Sequence, residues 1–94
     1  MDENQEKLAL YIINRDSAVE ARNLLKCDAE AEVLLVGRGI MLPIAQMFPK
    51  RKVYILRAEA EAMGVGDKTG ENLEMIEPEA MVEILLNRQI FSFS

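Results

Sequence analysis

Two stretches decide the fold: Val33-Leu34-Leu35-Val36-Gly37-Arg38-Gly39 and Lys52-Val53-Tyr54-Ile55-Leu56-Arg57. Each contains an unbroken apolar run that stops at a polar or glycine-rich boundary. Neither run alternates polar with apolar residues. Both faces of each strand must therefore be covered, as in a parallel sheet held between helix layers. Upstream, Leu8-Ala9-Leu10-Tyr11-Ile12-Ile13 repeats the pattern. Leu73-Glu74-Met75-Ile76 is a weaker fourth strand, expected nearer an edge. The tail from Gln89 to Ser94 reads as a short fifth strand.

Helical signals fill the gaps. Ser17 and Glu20 form a capping box, each side chain satisfying a free N–H at the start of the first helix. Ala18, Ala21, Leu24 and Leu25 then fall on one face. The connection from Ile40 to Arg51 is just long enough for a parallel crossover. Pro43 suits the first turn of a short helix there, and Pro49 ends it. A third short helix is expected from Ala58 to Met63, with Gly64 at its carboxyl end and a loop from Gly64 to Gly70. Pro78 opens the last helix, which runs to about Asn87. The alternation predicts one domain over residues 1–94. Its class is α/β: three layers, α/β/α, with a mainly parallel four- or five-stranded sheet of the flavodoxin-like topology class.

Composition narrows the functions. In 94 residues, 50% are hydrophobic, enough to bury a core, and 29% are charged. Eleven basic residues stand against 16 acidic ones, a net charge of −5. That balance opposes direct nucleic-acid binding, which needs a dense positive surface. With no histidine, the chain has no Ser-His, Cys-His or His-metal chemistry. A single cysteine rules out an intrachain disulfide or a cysteine-rich zinc site. No metal and no cofactor is expected. The acidic start, Met1-Asp2-Glu3-Asn4-Gln5-Glu6, is wrong for a secretory signal, and no apolar run approaches the ~18 residues of a membrane span. The expected location is the cytoplasm, with no membrane partner.

Three apolar runs end in arginine: Asn14-Arg15, Gly37-Arg38 and Leu56-Arg57. In a parallel sheet, Arg15, Arg38 and Arg57 emerge on one rim, at the carboxyl ends of the strands. Gly37 and Gly39 would let an anion approach the backbone, and guanidinium groups suit bidentate capture of carboxylate, phosphate or sulfate. The plainer reading is a solvated rim, each arginine pairing with Asp16, Glu59 or Glu77. Lys50-Arg51-Lys52 reads as a solvated turn on the opposite rim. Other motifs fail. Leu42 replaces the third glycine of a dinucleotide fingerprint begun by Gly37 and Gly39, and Asp67 spoils a phosphate loop at Lys68-Thr69. Glu59 and Glu61 are two apart and do not share a helix face.

The second half also resembles the DsrH/TusB family. Lys52-Val53-Tyr54-Ile55-Leu56 matches its K-V-Y-x-L strand, and Glu59-Ala60-Glu61-Ala62-Met63-Gly64 its acidic helix ending in E-A-R-G. Ile76 and the apolar helix after it follow the family's I-D-Y turn. Val33 to Gly39 sits where the family has L-L-L-x-D-G. The resemblance covers residues 33 to 88 and rests on many weak positions. Arg38 replaces the family's aspartate, Pro78 the tyrosine of the turn, and the second helix is shorter. It implies a DsrE-like fold and a non-catalytic subunit of a persulfide relay, serving tRNA 2-thiouridine formation or sulfur oxidation. Partners would be further copies of the chain or DsrE/DsrF-like (TusC/TusD-like) subunits.

Cys27 is the one side chain able to hold a persulfide. It falls at the end of the first helix, on the edge opposite the strands' carboxyl ends, so an inert, partly buried thiol is the preferred reading over a sulfur carrier. The alternative function is a stand-alone small-anion or nucleotide-binding module using the arginine rim, and a sulfurtransferase using Cys27 is the third. On the last helix, Met81, Ile84 and Leu85 form a core stripe. Val82 and Leu86 widen it past half the circumference, and Phe91 and Phe93 follow in the tail. For these four, Val82, Leu86, Phe91 and Phe93, core packing is the default reading and a subunit interface the alternative, which the family's habit of assembling favours.

Overall fold

The computed structural model describes residues 8–14, 18–28, 30–41, 50–64 and 72–92. Five strands, β1 (Ala9–Ile13), β2 (Glu32–Leu35), β3 (Val53–Leu56), β4 (Leu73–Ile76) and β5 (Gln89–Ser92), form one sheet in the order β4-β3-β2-β1-β5. Every pairing is parallel. Three α-helices are described: α1 (Ala18–Cys27), α2 (Arg57–Ala62) and α3 (Pro78–Leu86), with a 3-10 turn over Gly37–Met41. The fourth strand lies at an edge, as its mixed sequence implies, and the tail adds β5 at the other. Pro78 sits in the first turn of α3, where its missing N–H costs nothing. Gly64, at φ +78°, closes α2 in the left-handed conformation that favours glycine.

The uninterrupted strands are explained by their two coats. On one face a cross-strand row, Phe91, Tyr11, Val33, Val53 and Leu73, runs in register across the sheet. That face packs with Leu25 of α1, Ile40 of the 3-10 turn and Ala60 of α2. On the other, Leu10, Leu34, Tyr54 and Ile76 meet Ala80, Met81, Ile84 and Leu85 of α3. The layers are therefore unequal. Leu25, Ile40 and Ala60 are fully buried, whereas no residue of α3 is.

Several expectations need correction. Leu24 is 45% exposed, so only Leu25 of that pair faces the core. The two lie about 100° apart on the helix, and the sheet accepts a narrower stripe than the one assigned. The segment after β2 coils at once into a 3-10 turn, and Met41 at its end is exposed. Ser17 of the capping box, the helix expected at Pro43 and the side chains of Ala18 and Ala21 lie outside the described residues.

Candidate functional site

The chain leaves β2 at Gly37, β3 at Arg57 and β4 at Glu77. The α1, 3-10 and α2 connections lie on one face of the sheet and α3 on the other. Outgoing connections thus part between β3 and β4, and a crevice opens at the carboxyl ends of neighbouring strands whose connections part in this way. Arg57 spans that crevice. Its Nε donates to Glu77 Oε2 at 2.8 Å and its Nη1 approaches Met75 Sδ at 3.8 Å. Both partners are about half exposed, so the pair stabilises by at most about 1 kcal/mol. Its effect is to bridge the crevice with the chain's own charges.

The rest of the rim departs from an anion cradle. Gly37 has φ +53° and open space around it, but its N–H donates to Glu59 Oε1 at 3.3 Å. Gly39 is buried. A Cβ there would lie 2.5 Å from the Ile13 carbonyl oxygen and 2.9 Å from Asn14 Cα. This glycine is needed because the 3-10 turn crosses the end of β1, where Val36 N–H also donates to the Ile13 carbonyl at 3.0 Å. It is a packing glycine, so the role of admitting an anion is withdrawn for it. Arg38 is exposed, with no ion-pair partner among the described residues. The parallel sheet brings Arg38 and Arg57 to one edge, as expected; Arg15 lies outside the described residues.

Cys27 lies at the opposite edge, and it is an exposed free thiol, which corrects the expectation of a partly buried one. Beside it stands the residue that sequence reading misjudged most. Arg51, placed in a solvated turn, is 8% exposed. Its guanidinium donates to the carbonyls of Asp28 at 2.6 Å, Ala31 at 2.7 Å and Leu25 at 3.0 Å. Helix ends leave carbonyls without intrahelical donors, and a cation there also meets the negative end of the helix dipole. Tyr11 lies within electrostatic reach of this cluster. Burial, then Asp28, hold its hydroxyl pKa above the usual value, with Arg51 opposing and Cys27 adding.

A second polar cluster sits at the strands' amino ends on the α3 face. Glu32 Oε1 accepts from Arg88 Nε at 2.8 Å and from the Tyr54 hydroxyl at 3.2 Å. Burial first, then Glu32, raise the Tyr54 pKa, while Arg88 lowers it. Lys52 Nζ pairs with Glu74 Oε1 at 2.8 Å and lies 5.9 Å from the centroid of the Tyr54 ring. An open groove of about 410 Å3 runs along this edge, with Glu30, Glu32, Lys50 and Lys52 in its walls. Its charges are of both signs and partly paired. The only sequence signal for this cluster was a charged residue just before or at the start of β2, β3 and β5.

The four candidate interface residues do not form one patch. Val82 and Leu86 are exposed on the outer side of α3. Phe91 lies on the other face of the sheet, its ring 5.5 Å from that of Tyr11. The register explains the split, since Phe91 pairs with Tyr11 and inherits its face. Phe93 lies outside the described residues.

No protein-family model matches the chain, and no curated protein matches it. Among solved structures, the crystal structure of the ychN protein from E. coli is similar, with a TM-score of 0.70 at 11% identity, covering 93% of this chain and 99% of that one. At that identity the likeness shows the fold alone. It supports the all-parallel α/β fold of the chain. No helix among the described residues is long and apolar enough to cross a membrane.

Proposed function

We propose that this protein is a non-catalytic subunit of a sulfur-relay system of the DsrH/TusB type. It holds cysteine-bearing sister subunits and does not itself carry sulfur. One observation carries this reading: the crevice where an α/β fold would take a small substrate is bridged by the chain's own Arg57–Glu77 ion pair. The lone thiol is at the other edge, away from Arg38 and Arg57. What remains for function is surface: the exposed Arg38 rim and the exposed side chains of α3. The partners would be further copies or DsrE/DsrF-like (TusC/TusD-like) subunits, in the cytoplasm, serving tRNA 2-thiouridine formation or sulfur oxidation.

The test is co-purification of the tagged chain with such subunits. Cys27→Ser should retain them, and Arg38→Glu should release them. Two results would replace the reading. Saturable binding of sulfate or phosphate at Arg38, with no sister subunit retained, would make the chain an anion-binding module. Persulfide accumulating on Cys27 from a sulfur donor would make it a sulfurtransferase, an outcome the exposure of that thiol permits.

A further inference from the structure

Helices α1 and α3 turn their outer sides toward opposite faces of the molecule. On α3, Val82 and Leu86 are 51% and 69% exposed, and the exposed Glu79 and Glu83 form the adjoining row. Both pairs have i, i+4 spacing, which makes them neighbours on the helix surface. On α1, Val19 is 62% exposed, the half-buried Arg22 and the exposed Lys26 lie three and seven residues further on the same stripe, and the exposed Glu20 is about 100° away around the helix. Among the described residues Glu79, Glu83, Arg22 and Lys26 have no ion-pair partner, whereas Lys52, Arg57 and Arg88 each have one. Each helix thus shows an exposed aliphatic group beside two like charges, and the sign is opposite on the two.

From this match we infer that the outer side of α3 docks on the outer side of α1 of a second copy of the chain. The charges select the pairing. Two α3 surfaces would bring four glutamates together, and two α1 surfaces four cations; like charges facing across a contact exclude such pairs. Only the mixed contact joins opposite signs around aliphatic groups. Because the two patches lie on opposite faces of one sheet, the contact is heterologous. It repeats from copy to copy, closing a ring or continuing as a stack. The net charge of −5 repels copies in every orientation, so the matched patches must outweigh it.

This inference deepens the assembly reading above, but it is tested on the purified chain alone, so its failure and the loss of sister subunits are separate results. Sedimentation velocity up to about 1 mM covers a weak contact. The unaltered chain should form species larger than a monomer in a concentration-dependent way. Glu79→Lys with Glu83→Lys, and separately Arg22→Glu with Lys26→Glu, should each weaken association at least about tenfold, which is about 1.4 kcal/mol. An equimolar mixture of the two variants should restore it, since each now offers the sign the other lacks. Circular dichroism checks that the variants fold. If either does not, Glu79→Gln with Glu83→Gln and Arg22→Gln with Lys26→Gln replace them, and each must weaken association severalfold. Three results would overturn the inference: a strict monomer at all concentrations, normal association by the α1 variant, or a mixture no better than its components.

Discussion

Arg51 and Lys50 are neighbours in one basic run, yet Arg51 is buried under three carbonyls and Lys50 is exposed. Arg51→Met should therefore cost about 2–3 kcal/mol in urea unfolding, the scale of charged hydrogen bonds lost from buried acceptors. Lys50→Met should stay within about 0.5 kcal/mol. Equal effects would deny Arg51 its capping role. Gly39→Ala should cost about 1–3 kcal/mol, because the new methyl meets backbone that cannot swing away. At alkaline pH the tyrosines matter. Tyr54 and Tyr11 have pKa values raised above 10.0, first by burial. The folded state keeps these protons longer than the unfolded one. Their contribution is complete below about pH 10 and is lost as pH rises through the folded values. Thermal melts should show stability falling above about pH 10. Tyr54→Phe should flatten that fall while costing about 1 kcal/mol at neutral pH through the lost bond to Glu32. An unchanged alkaline slope would contradict the assignment.

Strands β1, β2 and β3 were legible at the scale of elements because their signal was strong and physical, whereas β4 and β5 carried weaker ones. Four apolar residues in a row, bounded by glycine or charge, demand cover on both faces. Pro78 and Gly64 marked helix ends for backbone reasons that tertiary contacts do not override. Less legible was how thick each cover is. Helix α3 alone, among the described residues, covers the Leu10 and Tyr54 face, so its apolar arc is spread over half-buried positions. Ile84 touches the sheet and Leu86 does not, an asymmetry the sequence of α3 only half reveals. Ile84→Ala should cost about 1–2 kcal/mol, below the range for fully buried positions, and Leu86→Ala under about 0.5 kcal/mol in dilute monomer. Equal costs would mean that α3 is rotated from its described setting. The split of Phe91 from Val82 and Leu86 was hidden for a related reason. Sequence spacing sets which face of a strand a residue takes only once the register with its neighbour is known.

For the whole molecule, the all-parallel sheet does the sorting. It sends Arg38 and Arg57 to one edge and Cys27 to the other, which the strand pattern alone already implied. What could not be read was which groups would satisfy one another. The Arg57–Glu77 pair, the Glu59 carboxylate on Gly37 and the Arg51 cap all join residues about 20 or more apart in the chain. Such pairings depend on loop geometry, and several charges of equal merit compete for each. The first two lie at the carboxyl edge and the Arg51 cap at the opposite one, which leaves the Arg38 rim and the helix surfaces for protein contact. The most direct measurement is labelled-sulfur transfer through a reconstituted relay containing this chain and DsrE/DsrF-like subunits, comparing the unaltered chain with Cys27→Ser. An assembly subunit predicts equal transfer rates with both. Transfer abolished by Cys27→Ser, with the complex still intact, would contradict the account.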